Sequence, residues 1–271
     1  TYRGHQDYVH DVALSPDGRQ AASVGNDDRV ILWDLETGQA LRTFRDGIAV
    51  TAVAFLASGE IVTGNYSGEV KLWDVRRDSP RELRSARLNA AYRQVLALKE
   101  LPGGRLLLVA SKAGFTVVDL GRDALVRAFG EQRQSTRGIQ GVALSSDGAL
   151  ALSAIGGQVT LWDVRTGQVI RSDSGHGHGA SLSFSPDGRH FVTAGNGVLK
   201  LWGTDSGREV TSVRHFGLAW ATFALDTRHV LTGGGAGYDD GTIKVWDISR
   251  QGVPLGKVHS GSPAERAGLV A

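Results

Sequence analysis

The segment Val30-Ile31-Leu32-Trp33-Asp34 is a short apolar run closed by Trp-Asp, and the chain repeats it. It returns as Val70-Lys71-Leu72-Trp73-Asp74, Val159-Thr160-Leu161-Trp162-Asp163, Leu199-Lys200-Leu201-Trp202-Gly203 and Ile243-Lys244-Val245-Trp246-Asp247. A weaker copy, Phe115-Thr116-Val117-Val118-Asp119, keeps the Asp without the Trp. Successive copies lie 40, 45, 44, 40 and 44 residues apart. A period of this length marks an architecture whose units bury their apolar faces on one another.

Working outward from the first copy, residues 9–14 read as an apolar strand. Ser15-Pro16-Asp17-Gly18 then makes a tight turn, because Pro fixes its own φ, Asp bonds the backbone ahead and Gly accepts a positive φ. Residues 20–24 form a second strand, and Gly25-Asn26-Asp27-Asp28 turns into the third at 30–34. Glu36-Thr37-Gly38 turns into a fourth at 40–44. Four short, evenly spaced strands with turn chemistry between them predict an all-β array. The later repeats keep this order, with first and second strands at 50–55 and 61–63, 95–98 and 106–110, 142–144 and 150–153, 182–184 and 191–193, and 221–225 and 230–232.

At 271 residues the chain can bury about three quarters of its unfolded surface. A 41% hydrophobic and 21% charged composition is that of an ordinary globular domain. A net charge of +2 is too weak to imply nucleic acid, and none is expected as a partner. With no cysteine, disulfides and Cys-based metal or redox sites are excluded. No apolar run is long enough to span a bilayer as a helix. The run Arg76, Arg77, Arg81, Arg84, Arg87 and Arg93 is the clearest basic segment, and it lacks the interleaved aromatics that single-stranded nucleic acid favours.

The set Gly4-His5, Ser15-Pro16-Asp17-Gly18, Trp33-Asp34 and Thr37-Gly38 resembles a WD repeat. The resemblance extends from Thr1 to about Leu255 and implies a β-propeller of four-stranded antiparallel blades, with six repeats visible over residues 1–258. In that family a His, a second-strand Ser or Thr, a turn Asp and the Trp form a buried hydrogen-bond chain. Here the resemblance assigns His5, Ser23, Asp27 and Trp33 in the first repeat, and His215, Thr232, Asp240 and Trp246 in the sixth. The other repeats lack members, with Ser67 and Lys112 at the Asp position of the second and third, so apolar packing is expected to hold them.

A His–Ser–Asp set invites a catalytic reading. Its recurrence by repeat, with no Gly-x-Ser-x-Gly elbow, makes it a fold device, and no enzyme activity is expected. Gly175-His176-Gly177-His178-Gly179 offers two imidazoles and no third ligand, so no metal is expected. The glycine-rich stretch at 233–241 lacks the Gly-Lys-Ser/Thr ending of a phosphate loop and reads as an extended turn, so no cofactor is expected. Trp220, the one Trp outside the Trp-Asp series, falls at the position of Asp11 and Ala52 and reads as a packing residue.

The resemblance implies a non-catalytic scaffold that binds a protein or peptide, or else a regulatory module acting within a longer protein. It also implies that turns joining fourth to first strands share a face with those joining second to third. That face would carry Tyr8, Tyr66, Tyr92, Arg93, Lys112, Phe216 and Tyr238. Tyr and Arg are frequent at binding hot spots, and the arginines beside Tyr92 make an acidic partner the preferred one. A cytoplasmic location is expected, and the preference for Arg and Ala over Lys points to a bacterial source.

Residues 259–271 depart from the repeat pattern. Gly261-Ser262-Pro263-Ala264-Glu265-Arg266-Ala267-Gly268-Leu269 resembles the start of a bacterial PDZ domain, and the same residues also read as the opening of a further repeat. Tyr2 matches Phe44 at the end of a fourth strand, so the sequence is expected to be a window from a longer chain.

Overall fold

The computed structural model describes residues 2–76, 79–88, 94–122, 124–130, 138–174, 181–214, 218–224, 226–234, 243–248 and 253–258. Among the described residues, 24 strands form six four-stranded sheets, each an antiparallel meander in chain order. The first sheet holds β1 (Val9–Leu14), β2 (Gln20–Gly25), β3 (Arg29–Asp34) and β4 (Ala40–Arg45). The second holds β5 (Val50–Phe55), β6 (Ile61–Asn65), β7 (Glu69–Asp74) and β8 (Arg81–Arg87). The third holds β9 (Val95–Glu100), β10 (Leu106–Ser111), β11 (Gly114–Asp119) and β12 (Ala124–Phe129). The fourth holds β13 (Gly141–Leu144), β14 (Leu150–Ile155), β15 (Gln158–Asp163) and β16 (Val169–Ser174). The fifth holds β17 (Ser181–Phe184), β18 (His190–Gly195), β19 (Val198–Gly203) and β20 (Glu209–Arg214). The sixth holds β21 (Leu218–Phe223), β22 (His229–Gly234), β23 (Ile243–Asp247) and β24 (Val253–Val258). Thus a sixth fourth strand ends at Val258, and the PDZ-like stretch lies outside the described residues.

Contacts divide the chain into two compact units, Thr1–Gly138 and Ile139–Ala271, each with three sheets. Inside a unit, one sheet packs its face on the next. Val24, Val30 and Leu32 of the first sheet meet Val53, Ile61 and Trp73 of the second. Val62, Val70 and Leu72 of the second meet Leu107, Val109 and Val118 of the third. In the other unit Val159 and Leu161 meet Phe191 and Trp202, and Leu199 and Leu201 meet Val230 and Trp246. In β3 both faces are covered, Val30 and Leu32 by the second sheet and Trp33 by the Tyr2 ring at 5.4 Å, which explains why Val-Ile-Leu-Trp is wholly apolar. Burying each such aliphatic side chain contributes about 1.5–3 kcal/mol.

Side chains clip the first strands together. Thr51 Oγ1 donates to Val95 O at 2.7 Å, and Ala57 N–H donates to Glu100 Oε2 at 2.7 Å. Thr51 near the start of β5 thus meets the start of β9, and Ala57, two residues past the end of β5, meets the last residue of β9, so the two strands run parallel. Asp11 Oδ2 accepts Val53 N–H at 3.0 Å, and Ser181 Oγ donates to Ala221 O at 3.2 Å.

The turn residues act as their chemistry dictates. In Ser15–Asp17, Ser145–Asp147 and Ser185–Asp187 the hydroxyl donates to the carboxylate at 2.6 Å and accepts a backbone N–H from five residues ahead. The Asp of Trp-Asp holds the next turn, with Asp34 Oδ1 accepting Thr37 N–H at 2.7 Å and Asp163 Oδ1 accepting Thr166 N–H at 2.7 Å.

Each sheet also has a bulge where the third strand meets the fourth, immediately before the Trp or its Val118 equivalent. The extra residue on the outer strand is apolar every time: Leu41, Leu83, Val126, Ile170, Val210 and Leu255. A bulge adds local twist and blunts an edge strand against pairing with another chain.

Candidate partner-binding site

In the first sheet, Trp33 Nε1–H donates to Ser23 Oγ at 2.8 Å, and Ser23 Oγ lies 2.8 Å from His5 Nε2. His5 Nδ1 lies 2.9 Å from Asp27 Oδ1, while Asp27 Oδ2 accepts Gln6 N–H at 2.8 Å. Every hydrogen finds an acceptor when Nδ1–H donates to Asp27 and Ser23 donates to Nε2. Burial raises the Asp27 pKa, but the bonds from Gln6 and His5 outweigh it, so the carboxyl titrates below its usual range. This chain ties the loop before β1 to the β2–β3 turn. Asn26 N–H donates to Tyr8 O at 2.9 Å, and a Cβ on Gly25 would collide with that carbonyl.

The second sheet builds the same tie from different residues. Trp73 Nε1–H donates to Thr63 Oγ1 at 2.9 Å, and Thr63 donates to Asp46. Lys71 Nζ lies 3.1 Å from Asp46 Oδ1 and 5.7 Å from the Trp73 ring centroid. Burial alone would lower the Lys71 pKa, but Asp46, and then Glu69 and Glu82, raise it above its ordinary value. Sheets four to six keep the indole bond as well, from Trp162 to Ser153, Trp202 to Thr193 and Trp246 to Thr232, at 2.8–2.9 Å. The expectation that repeats lacking a full set rest on apolar packing therefore holds only for the third sheet. There Val109 and Val118 occupy the hydroxyl and Trp positions. In the sixth repeat the Thr232–Trp246 pair is described, while His215 and Asp240 lie outside the described residues.

These ties gather loops at one end of each sheet. Tyr66 N–H donates to Ala49 O at 3.0 Å and Lys112 N–H donates to Gln94 O at 3.0 Å, which sets both turns beside the starts of β5 and β9. Because β5 and β9 run parallel, Tyr66 and Lys112 share an end, and Tyr8 has the corresponding place on the first sheet. Tyr8 is 78% exposed and Tyr66 60%, with Val9 and Ile48 exposed near them. His10 Nε2 lies 2.6 Å from Asn26 Oδ1, and Arg45 faces Asp28 at 3.5 Å, so this end carries both charge signs. Tyr92, Arg93, Phe216 and Tyr238 lie outside the described residues, as does the segment 175–180.

Trp220 pairs with Gly233, and its indole fills the space where a Cβ on that glycine would stand. It packs on backbone and still keeps 38% of its surface exposed. Asp11, at the equivalent place on β1, has its pKa raised by burial, which outweighs the bonds from Val53 and Val12 N–H. Neither Asp46, Lys71 nor Ile48 stood out in the sequence. The one available signal was Asp46-Gly47 in place of the Gly4-His5 of the first repeat. Among the described residues no group of three or more His, Asp or Glu gathers to hold a metal, and no helix is long and apolar enough to cross a membrane.

The WD domain, G-beta repeat family matches residues 1–34, 38–74, 167–203 and 204–247. Among curated relatives, the small ribosomal subunit protein RACK1 of Glycine max is 37% identical over 79 residues, 29% of this chain and 24% of that protein. Protein groucho of Drosophila melanogaster is 26% identical over 206 residues, 70% of this chain and 28% of that protein. Telomerase protein component 1 of Rattus norvegicus is 26% identical over 267 residues, 92% of this chain and 10% of that protein. The chain thus spans about a quarter or less of the length of these relatives.

Proposed function

This chain belongs to the WD-repeat family, and on that premise we propose that it is a non-catalytic scaffold holding a protein or peptide partner in the cytoplasm. Its sheets serve as propeller blades, and the partner sits on the loop end that carries Tyr8, Tyr66 and Lys112. One observation carries this reading. Two tyrosines exposed by 78% and 60% stand on turns anchored from beneath by buried polar chains. Large aromatic area held on a rigid base is what a hot spot needs, since little loop ordering is left to oppose binding. An acidic partner is preferred, with Lys112 and the sequence neighbours Tyr92 and Arg93 contributing to the contact.

The length comparison supports a second reading, in which the scaffold acts on other segments of its own longer polypeptide, since 92% of this chain aligns with 10% of one relative. A pull-down from the source organism tests the first reading, repeated with Tyr8→Ala and Tyr66→Ala. Weakened capture with an unchanged unfolding midpoint supports it. Equal capture by both variants removes this end of the sheets from the contact. The full reading frame, expressed with and without its flanking segments, tests the second.

A further inference from the structure

The first sheet has one bare face, on which Val12 is 56% and Leu14 62% exposed. Val12 stands across from Ser23 as Val53, Leu182 and Ala221 stand across from Thr63, Thr193 and Thr232. Leu14 stands across from Ala21 as Phe184 and Phe223 stand across from Phe191 and Val230. Those five equivalents are only 4–9% exposed, because the preceding sheet packs over them. Leu98, at the place of Val12 in the third sheet, is partly buried against the second. Two exposed aliphatic side chains together on one sheet face, where the equivalents are covered, mark a packing surface and not scattered apolar residues.

The outer part of the same face shows what belongs there. The Tyr2 ring meets Trp33 edge-on at 5.4 Å, and its hydroxyl donates to Leu35 O at 3.4 Å. Gly4 passes so close that a Cβ on it would lie 3.0 Å from the side chains of Ile31 and Trp33. Residues 2–4 thus lie over the first sheet as residues 44–46 lie over the second, where the Phe44 ring sits 4.8 Å from Trp73 and Asp46 accepts from Thr63. Phe44 belongs to a fourth strand, and the sheet of that strand covers Val53 with an aliphatic back face of Ala22, Val24, Val30 and Leu32. The covering faces of the fourth and fifth sheets are likewise built from Val, Leu and Ala. A sheet with a complete fourth strand of its own, such as the sixth, has Val258 across from Ile243 as Phe44 is from Val30, and would bring a second residue to the place Tyr2 holds.

We propose that the bare face receives a further four-stranded repeat sheet of the same polypeptide, encoded upstream of Thr1, whose fourth strand runs into Tyr2. Its aliphatic back face covers Val12 and Leu14 as the first sheet covers Val53, which continues the sheet-on-sheet interface by one step. This surface is separate from the loop end that carries Tyr8 and Tyr66, so it stands whether or not that end binds a partner.

The chain has no cysteine, so Val12→Cys and Leu14→Cys each place a single thiol on the face, and Leu83→Cys places one on exposed β8. Each variant is made in the 271-residue chain and in the same chain extended upstream by one repeat of about 45 residues. Iodoacetamide labelling is followed peptide by peptide by mass spectrometry. In the 271-residue chain all three thiols are expected to react at similar rates. In the extended chain Val12→Cys and Leu14→Cys are expected to slow by about a hundredfold or more, since labelling then waits on local opening, while Leu83→Cys is unchanged. The upstream residues are expected to read as strands separated by turns, with Val, Leu and Ala alternating in the second and third and a fourth ending at Tyr2. Equal rates in the two chains, or an upstream sequence without that pattern, would overturn the proposal. So would slow labelling of Val12→Cys in the 271-residue chain, which gives the face to a second copy if protection grows with concentration and to another part of the chain if it does not. If a thiol variant fails to fold, the methyl signals of Val12 and Leu14 in the parent decide. A soluble paramagnetic agent should broaden them in the 271-residue chain and spare them in the extended one.

Discussion

Thr63 donates its hydroxyl to Asp46, an acid that takes over in the second sheet the part His5 plays for Ser23 in the first. Tyr2 and Phe44 are equivalent, so Asp46 aligns with Gly4 and not with His5. A carboxylate one residue earlier reaches the same hydroxyl, and its charge is met by Lys71 at 3.1 Å. The indole of the repeat Trp is thus anchored through two different chemistries in adjacent sheets.

Asp46→Ala is expected to lower stability by about 2–4 kcal/mol, because removing one member of a buried pair strands the other and leaves Thr63 without its acceptor. Lys71→Met in that background should recover part of the loss by removing the stranded charge. Urea denaturation of the two single variants and the double variant measures the coupling. A parent-like midpoint for Asp46→Ala means the pair does not hold the sheet.

Asp27→Ala is expected to cost about 1–3 kcal/mol at neutral pH, since it breaks charge-assisted bonds to His5 and Gln6. The Asp27 carboxyl titrates lower in the folded chain than in the unfolded one. Its contribution is therefore fully present above the unfolded value of about 4 and is lost as pH falls through the folded one. Urea midpoints of the parent and Asp27→Asn should converge as pH drops below about 4. A gap that stays constant with pH would show that the carboxylate's charge is not what the network uses.

Asp11 has the opposite sign. Burial holds its folded pKa above the unfolded value. Its contribution is greatest below the unfolded value of about 4 and is lost as pH rises through the folded pKa. Relative to Asp11→Asn, the parent should lose stability as pH rises above about 4, until the folded carboxyl has titrated. Midpoints that run parallel over this range would place the carboxylate in water.

The repeat was legible because Trp33, Trp73, Trp162, Trp202 and Trp246 recur in phase with the same flanking turns. Strand pattern and turn chemistry are local properties, each written in fewer than about ten consecutive residues, and the period is their recurrence along the chain. That is why the six meanders stand where the Trp-Asp series puts them, even in the third repeat, where Val118 replaces the Trp. The exposed tyrosines were legible for the same reason, since Tyr8 and Tyr66 fall on turns with no apolar phase to satisfy.

What escaped the sequence depends on atoms far apart in the chain. Asp46 aligns with a glycine, and only the backbone path brings its carboxylate to Thr63. The bulge before each Trp adds one apolar residue to an outer strand, and nothing in the alternation of Ala40 to Arg45 marks Leu41 as the extra one. Trp220 reads as an ordinary packing residue until Gly233 opposite supplies the bare backbone on which its indole lies.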